Sequence, residues 1–267
     1  MLSPLNPPIL DWSKQRVWLV GASSGIGAAL AKELARRGAR LAVSARREAQ
    51  LHQVIDQACA NSPARQIDAL VLPLDVTDPG ALSAARDAIV AAWGGIDTVI
   101  WLAALWQPMR ATDFDLAMVR KTIEINQIGA LNLLAAVLPL LLKQQSGHLV
   151  LTASVAGWGG MPKAIAYGQT KAALNHLAET LWLDLHPLGI GVTVVNPGFV
   201  DTPATATNDF AMPALISADS AAQRILQGLA KGRFNVHFPL RFTRALQFLR
   251  LLPIRVWFAV VRRTTQL

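Results

Sequence analysis

The chain has one cysteine, Cys59, and one tyrosine, Tyr167. A lone thiol closes no intramolecular disulfide and builds no cysteine metal cluster, which excludes a disulfide-stapled scaffold and a zinc–thiolate centre. A reducing, cytoplasmic setting is therefore expected. Charge is also scarce: Asp, Glu, Lys and Arg make up 16% of the 267 residues, against roughly 25% in ordinary soluble chains. Hydrophobic residues reach 52%, enough for a large core. The missing charge points to extensive burial, a subunit interface or lipid contact. No secretory leader is expected, since Pro4, Pro7 and Pro8 stand where a basic segment and an apolar stretch would be needed.

Acid is absent after Asp219, whereas Arg224, Lys231, Arg233, Arg241, Arg244, Arg250, Arg255, Arg262 and Arg263 all follow it. Everything before them holds 16 basic residues against 17 acidic ones, so the net charge of +8 belongs to the tail. Residues 125–142 carry no charge at all and approach the length of a membrane span. Asn126, Gln127, Asn132 and Pro139 weaken that reading. A helix buried under a sheet or between subunits is expected instead.

What is present alternates. Short apolar runs at 17–20, 41–44, 70–74, 98–102, 148–152 and 191–195 read as strands. Helical patterns lie between them, one running from the first glycines to Arg37 and others near 48–60, 80–93, 113–144 and 165–187. Strand and helix at this spacing imply right-handed βαβ units. The expected fold is α/β: a single Rossmann-type, doubly wound parallel sheet with helices on both faces. One domain at 1–239 and a basic, apolar helical extension at 240–267 are expected.

Three features carry chemistry. The first strand runs into Gly21-Ala-Ser-Ser-Gly25-Ile-Gly27, where glycines let the backbone turn sharply and approach a pyrophosphate at a helix N-terminus. The second strand ends in Ser44-Ala45-Arg46-Arg47. An acid there would bind both ribose hydroxyls of NAD, while Arg46 offers a fork to the 2′-phosphate of NADP; the other reading is a solvated pair at a helix start. Third, Tyr167 and Lys171 are four apart and so share a helix face. A nearby ammonium favours phenolate and brings a pKa near 10 toward the range of a general acid/base.

With these motifs the chain resembles the short-chain dehydrogenase/reductase family, classical type, over residues 16–239. Gly21, Gly25 and Gly27 match its cofactor signature, and Tyr167 and Lys171 its tyrosine–lysine pair. Ser154 matches the catalytic serine, and Asn126 the helix asparagine that completes the tetrad. Asp75, in Leu74-Asp-Val-Thr-Asp78, matches the acid facing the adenine. Asn196-Pro-Gly-Phe-Val-Asp-Thr202 matches the loop that holds the nicotinamide carboxamide. The resemblance implies that Tyr167 exchanges a proton with the reacting oxygen and that Ser154 hydrogen-bonds it. It implies that Lys171 binds the nicotinamide ribose and that Asn126 positions a water leading to solvent. Ser23, Ser24, Ile26, Arg46, Val76, Ala103, Pro197, Gly198, Val200 and Thr202 would join the cofactor site with the residues already named. One departure stands out: where most members carry Asn-Asn-Ala-Gly, this chain reads Trp101-Leu-Ala-Ala104. That puts cofactor placement in question, not the fold.

The expected activity is hydride transfer between NADP(H), preferred over NAD(H), and a small carbonyl or alcohol. Phe210, Met212, Leu215 and Ile216 in the segment 204–217, with Trp106, suggest a lipophilic substrate. A catalytically weak NADP sensor or membrane-docked scaffold on the same fold is the alternative, favoured by the altered 101–104 segment. The full set Asn126, Ser154, Tyr167 and Lys171 argues for catalysis. His148 and His176 have no ligand-spaced partners, so no metal is expected. A homodimer or homotetramer through the helices at 113–144 and 165–187 is implied by the resemblance. In the tail, Pro253 should divide two helices. Their mix of Arg with Trp, Phe and Leu suits an anionic membrane surface and suits equally a helix packed over the substrate site or a neighbouring subunit. Nucleic acid is not an expected partner, since the tail has no binding motif.

Overall fold

Parallel strands covered on both faces read as continuous apolar runs, and the six expected runs behave in this way. The computed structural model describes residues 3–60, 62, 67–206 and 208–265. In chain order the elements are β1 (Arg16–Val20), α1 (Gly25–Arg36), β2 (Arg40–Ser44), α2 (Glu48–Ala60), β3 (Ala69–Val71), α3 (Pro79–Trp93), β4 (Thr98–Trp101), α4 (Leu116–Ile123), α5 (Gly129–Gln144) and β5 (Gly147–Thr152). They continue with α6 (Tyr167–Leu185), β6 (Ile190–Pro197), β7 (Val200–Asp201), β8 (Ile216–Ser217), α7 (Ala218–Ala230), β9 (Asn235–Phe238), α8 (Leu240–Leu251) and α9 (Ile254–Thr264). Seven strands form one parallel sheet in the order β3-β2-β1-β4-β5-β6-β9. The chain winds outward from β1 to β3, then returns to start the other half at β4. A crevice opens at such a switch point, beyond the carboxyl ends of the strands.

At the opposite end of the sheet, Arg16 at the start of β1 forks onto Asp97 just before β4, at 2.6 and 2.8 Å. Two apolar layers cover the faces. Leu30, Leu34 and Ile225 belong to one, while Trp18, Leu133, Val137 and Leu174 belong to the other. The uncharged run begins in the turn just before α5 and fills most of that helix. Together with α4 it forms a helix from Leu116 to Gln144 that is long and apolar enough to cross a membrane by length and composition. Its inner face packs on the sheet through Leu133, Val137 and Leu141, whereas Leu131 and Leu142 face outward.

Some elements differ from expectation. The third strand is expected at 70–74 but pairs only over Ala69–Val71. Leu72 and Leu74 still donate to Val43 O and Ala45 O, but Pro73 between them has no N–H to continue a ladder. The helix expected from 165 begins at Tyr167. The edge strand β9, the short β7–β8 pair and α7 have no counterpart among the expected elements. Helices α8 and α9 are divided at Pro253 as expected.

Candidate active site

The carboxyl ends of β1, β2, β4, β5 and β6 open into a cleft of about 500 Å³. On its cofactor side, Gly21 sits at φ +100°, and a Cβ there would lie 2.4 Å from Ala103 N. No other residue fits between these two strand ends. A Cβ on Gly27 would meet Gly21 O at 2.3 Å, which ties α1 to the turn that precedes it. Ser24, at the N-cap of α1, makes no side-chain capping bond. The first amides of the helix therefore have no such partner and can serve an anion. Both arginines after β2 line the cleft, and Arg47 reaches across to Ser23 Oγ at 3.2 Å. The sequence pointed to Arg46 alone; Arg47 belongs to the same rim. Asp75 accepts from Thr77 N and Thr77 Oγ1 at 3.0 and 2.9 Å. These bonds, with a smaller pull from Arg46, hold its carboxyl below the usual carboxylate range. Every cofactor position expected from the sequence lines this one cleft.

Ser154, Tyr167 and Lys171 line it too. Ser154 leaves β5 and caps a short turn, its Oγ accepting from Ala156 N at 3.1 Å. Tyr167 opens α6, and one turn later Lys171 donates to Thr152 O at 2.8 Å, its Nζ 5.3 Å from the Tyr167 ring centroid. Burial pushes the phenol up to about 12, with a hydrogen bond to Ser154 pulling it partway back. Burial also pushes the Lys171 ammonium down to about 7. Without a neighbouring anion, burial thus outweighs the charge effect expected of the pair: the phenol keeps its proton and the lysine gives its own up easily.

Asn126 does not line the cleft. It is fully buried in a π turn, Glu124–Ile128, that joins α4 to α5. Its amide accepts from Leu105 N at 2.6 Å and donates to Leu105 O at 3.0 Å and Thr170 Oγ1 at 3.2 Å. Thr170 Oγ1 in turn donates to Tyr167 O at 2.7 Å. The asparagine holds the strand exit at Leu105 against the first turn of α6. Single π turns inside helices recur at functional sites.

The sequence profile described as short chain dehydrogenase matches residues 15–211. The chain belongs to the short-chain dehydrogenase family. It is 35% identical over 253 residues to an oxidoreductase of Myxococcus xanthus described as uncharacterized, covering 95% of this chain and 98% of that one. It is 37% identical over 188 residues to human dehydrogenase/reductase SDR family member 7, covering 70% of this chain and 55% of the human one. Among solved structures, a short chain dehydrogenase from Burkholderia cenocepacia in complex with NADP shares the fold. Its TM-score is 0.80 at 20% identity, over 94% of this chain and 99% of that one. The protein is thus a short-chain oxidoreductase, of a fold that works with a nicotinamide cofactor.

Within this family, the Trp101–Ala104 departure has a packing answer. Trp101 is fully buried beneath the cleft, its Nε1 without a hydrogen-bond partner. A Cβ on Gly129 would come within 3.0 Å of Trp101 Cη2 and 2.9 Å of Val76 Cγ2. The large indole fits because the residue just after the π turn is glycine. Ala104 is exposed on the cleft wall, so its methyl meets open space.

The half of the cleft expected to take substrate is built differently from expectation. Of Phe210, Met212, Leu215 and Ile216, only Phe210 lines the cleft. Met212 turns its sulfur to Asn208 Nδ2 at 3.2 Å, Leu215 is exposed, and Ile216 is consumed by β8. Thr207, in the same segment, lies outside the described residues. Leu105, Met161, Pro162 and Phe199 supply apolar wall that the sequence reading missed. Trp106 stands edge-on to Tyr167, centroids 4.9 Å apart, and donates from Nε1 to Asn208 Oδ1 at 2.8 Å. His148 is a buried partner of Thr193 Oγ1 at 2.8 Å and His176 is exposed. Among the described residues no group of three metal-ligating side chains occurs.

Proposed function

We propose that this protein is an NADP(H)-dependent oxidoreductase that interconverts a lipophilic carbonyl compound and its alcohol. The observation that carries the reading is the convergence of Ser154, Tyr167 and Lys171 on the cleft that the glycine turn and the two arginines also line. A dinucleotide fits the chain's own residues. The turn at Gly21 and Gly27 leaves no room for side chains, the α1 amides lack a side-chain cap, and Arg46 and Arg47 offer two forks. Gly21, Ser23, Ser24, Gly25, Ile26, Gly27 and Asp75 would hold it on one side. Val76, Ala103, Pro197, Gly198, Val200 and Thr202 would complete its seat. The rim arginines and the absence of an acid after β2 favour NADP over NAD.

The cofactor supplies the hydride; the chain supplies position and protons. Tyr167 carries its proton at neutral pH and so is ready to donate it to a carbonyl oxygen. In the reverse direction it takes a proton from an alcohol. Ser154 donates a hydrogen bond to the same oxygen, where negative charge develops. Lys171, once an anion occupies the cleft, regains its charge and stabilises the phenolate. Asn126 acts through others, holding Leu105 and the first turn of α6 and so the placement of Tyr167. Leu105, Trp106, Met161, Phe199 and Phe210 favour a lipophilic substrate.

The outward faces of α5 and α6, with Leu131, Leu142 and Leu183 exposed, suit a homodimer or homotetramer. The outer side of α8 and α9 suits an anionic lipid surface. Phe248, Leu251, Ile254 and Phe258 are exposed there beside Arg241, Arg244, Arg255 and Arg262, with no acid among them. Self-pairing of that face would set arginine against arginine. A cytoplasmic setting suits the free thiol of Cys59.

The test is oxidation of NADPH and of NADH with a panel of lipophilic ketones and aldehydes, Tyr167→Phe alongside. NADPH-preferred turnover should fall by about 10²–10⁴-fold in the variant, with NADPH binding kept. Tight NADPH binding without turnover, identical in the variant, would identify a sensor instead.

A further inference from the structure

Helix α9 is exposed along most of its length, yet its Trp257 is only 1% exposed. The indole Nε1 donates to Gly160 O at 3.1 Å, and the Arg250 guanidinium of α8 lies 5.1 Å from the centroid of the ring. A Cβ on Gly159 would come within 2.8 Å of Trp257 Cζ2, so the ring rests on bare backbone. The segment beneath it, 157–166, links the turn that begins at Ser154 to Tyr167. It places Met161 and Pro162 in the cleft wall. Helix α8 reaches the opposite wall. There Phe242 packs on Gly198, a Cβ on which would lie 3.1 Å away, and its ring stands 6.0 Å from that of Phe199. Phe199 in turn meets Phe210 at 6.1 Å.

The 157–166 segment has few holds of its own: Trp158 stands edge-on to His237, centroids 5.8 Å apart, and Lys163 pairs with Asp209. Gly157, Gly159 and Gly160 contribute no side chains, and nothing lies within 4 Å of where a Gly160 Cβ would be. Its far end is fixed where Met109 N donates to Lys163 O at 2.9 Å, and its near end where Gly157 lies against the Lys171 backbone. Between these points the only side chain that hydrogen-bonds the segment's backbone from another element, among the described residues, is Trp257. An indole combines large apolar contact with one directional donor, which suits it to anchor bare backbone.

We propose that Trp257 is a positioning residue for substrate selection: it holds the Met161–Pro162 wall at a set distance from the Phe199–Phe210 wall, and so fixes the size of carbonyl compound the cleft admits. This rests on the reading of the cleft as the carbonyl site. The cofactor side is carried by turns that Trp257 does not touch, so its loss acts on one side only.

The experiment compares Trp257→Phe, which keeps a ring and loses the N–H, and Trp257→Ala with the parent enzyme on a small and a bulky ketone. The kcat/KM ratio between the two ketones should shift roughly tenfold or more in Trp257→Ala, chiefly through KM, and less in Trp257→Phe. The NADPH Kd should stay unchanged. An equal change for both ketones, or a parallel rise in the NADPH Kd, would overturn the proposal in favour of a general folding role. Hydrogen exchange gives an answer that needs no turnover. Amides of 158–164 should exchange about tenfold faster in Trp257→Ala, with those of 21–27 unmoved. Unchanged exchange at 158–164 overturns the proposal. A parent enzyme inert on every ketone, with exchange behaving as stated, overturns the carbonyl reading alone.

Discussion

On the cofactor side of the cleft, nearly every wall is a strand end or the turn that leaves it: Gly21 after β1, Arg46 and Arg47 after β2, Ala103 after β4. Across from it, the walls are the segment 157–166, Phe199 and residues 208–210. They are held by single side chains from elsewhere: Trp106 on Asn208, Lys163 on Asp209, Trp257 on Gly160. The first side inherits the rigidity of the sheet, whose backbone hydrogen bonds leave it one arrangement. The second depends on a few contacts that can be exchanged without disturbing a strand. On the proposed reading, cofactor placement belongs with the first kind of construction and the choice of substrate with the second.

The largest expected effect breaks the comparison at two glycines. A Cβ on Gly27 would lie 2.3 Å from Gly21 O, whereas at Gly160 nothing lies within 4 Å. Gly27→Ala should cost about 3 kcal/mol of stability or more and abolish tight NADPH binding, while Gly160→Ala stays within about 0.5 kcal/mol. Denaturant melts and NADPH titrations read both; equal losses would erase the distinction between the two sides.

A second effect tests the frame both sides share. Burial pushes His148 down to about 4 from 6.5. The unfolded chain therefore takes up this proton below pH 6.5 and the folded one only below about 4. Stability from this group is complete above 6.5 and is lost as pH falls toward 4, by about 3 kcal/mol. Urea midpoints across that window should drop, and the drop should shrink in His148→Gln. Because β5 and β6 serve both sides, NADPH binding and turnover should fail together on the acid limb.

The smallest effect sharpens the comparison within the cofactor side. Replacing Arg46 and Arg47 by Ala should weaken NADPH about tenfold or more and leave NADH unchanged, as read by KM for each. Equal weakening of both cofactors would remove the phosphate reading. The ketone discrimination governed by Trp257 should not move.

Legibility followed the same division. The Gly21 to Gly27 turn and the Tyr167–Lys171 spacing are written in neighbouring residues, so they can be read before any fold is known, whereas Ser154 came only with the family resemblance. Leu215 and Ile216 were misjudged because an apolar residue in a loop has several places to go, and here solvent and β8 took them. Trp101 looked like a defect until Gly129, 28 positions later, was found to make room for it. The partners of the Asn126 amide, Leu105 and Thr170, are too far along the chain to be read from its neighbours. The edge strand β9 escaped because four residues alternating in burial leave too short a signal.

The amino-acid sequence by itself determined the doubly wound sheet, its switch-point cleft and the shared helix face of Tyr167 and Lys171. Those depend on periodicity and on spacings of a few residues, which the backbone converts directly into shared faces and turns. Only the tertiary structure decided which residues line the other half of the cleft and where the basic tail lies against it. Trp106 and Asn208 are 102 positions apart, and Gly160 and Trp257 are 97. Contacts at such separations leave no periodic trace in the chain, because they exist only once the sheet has brought its ends together.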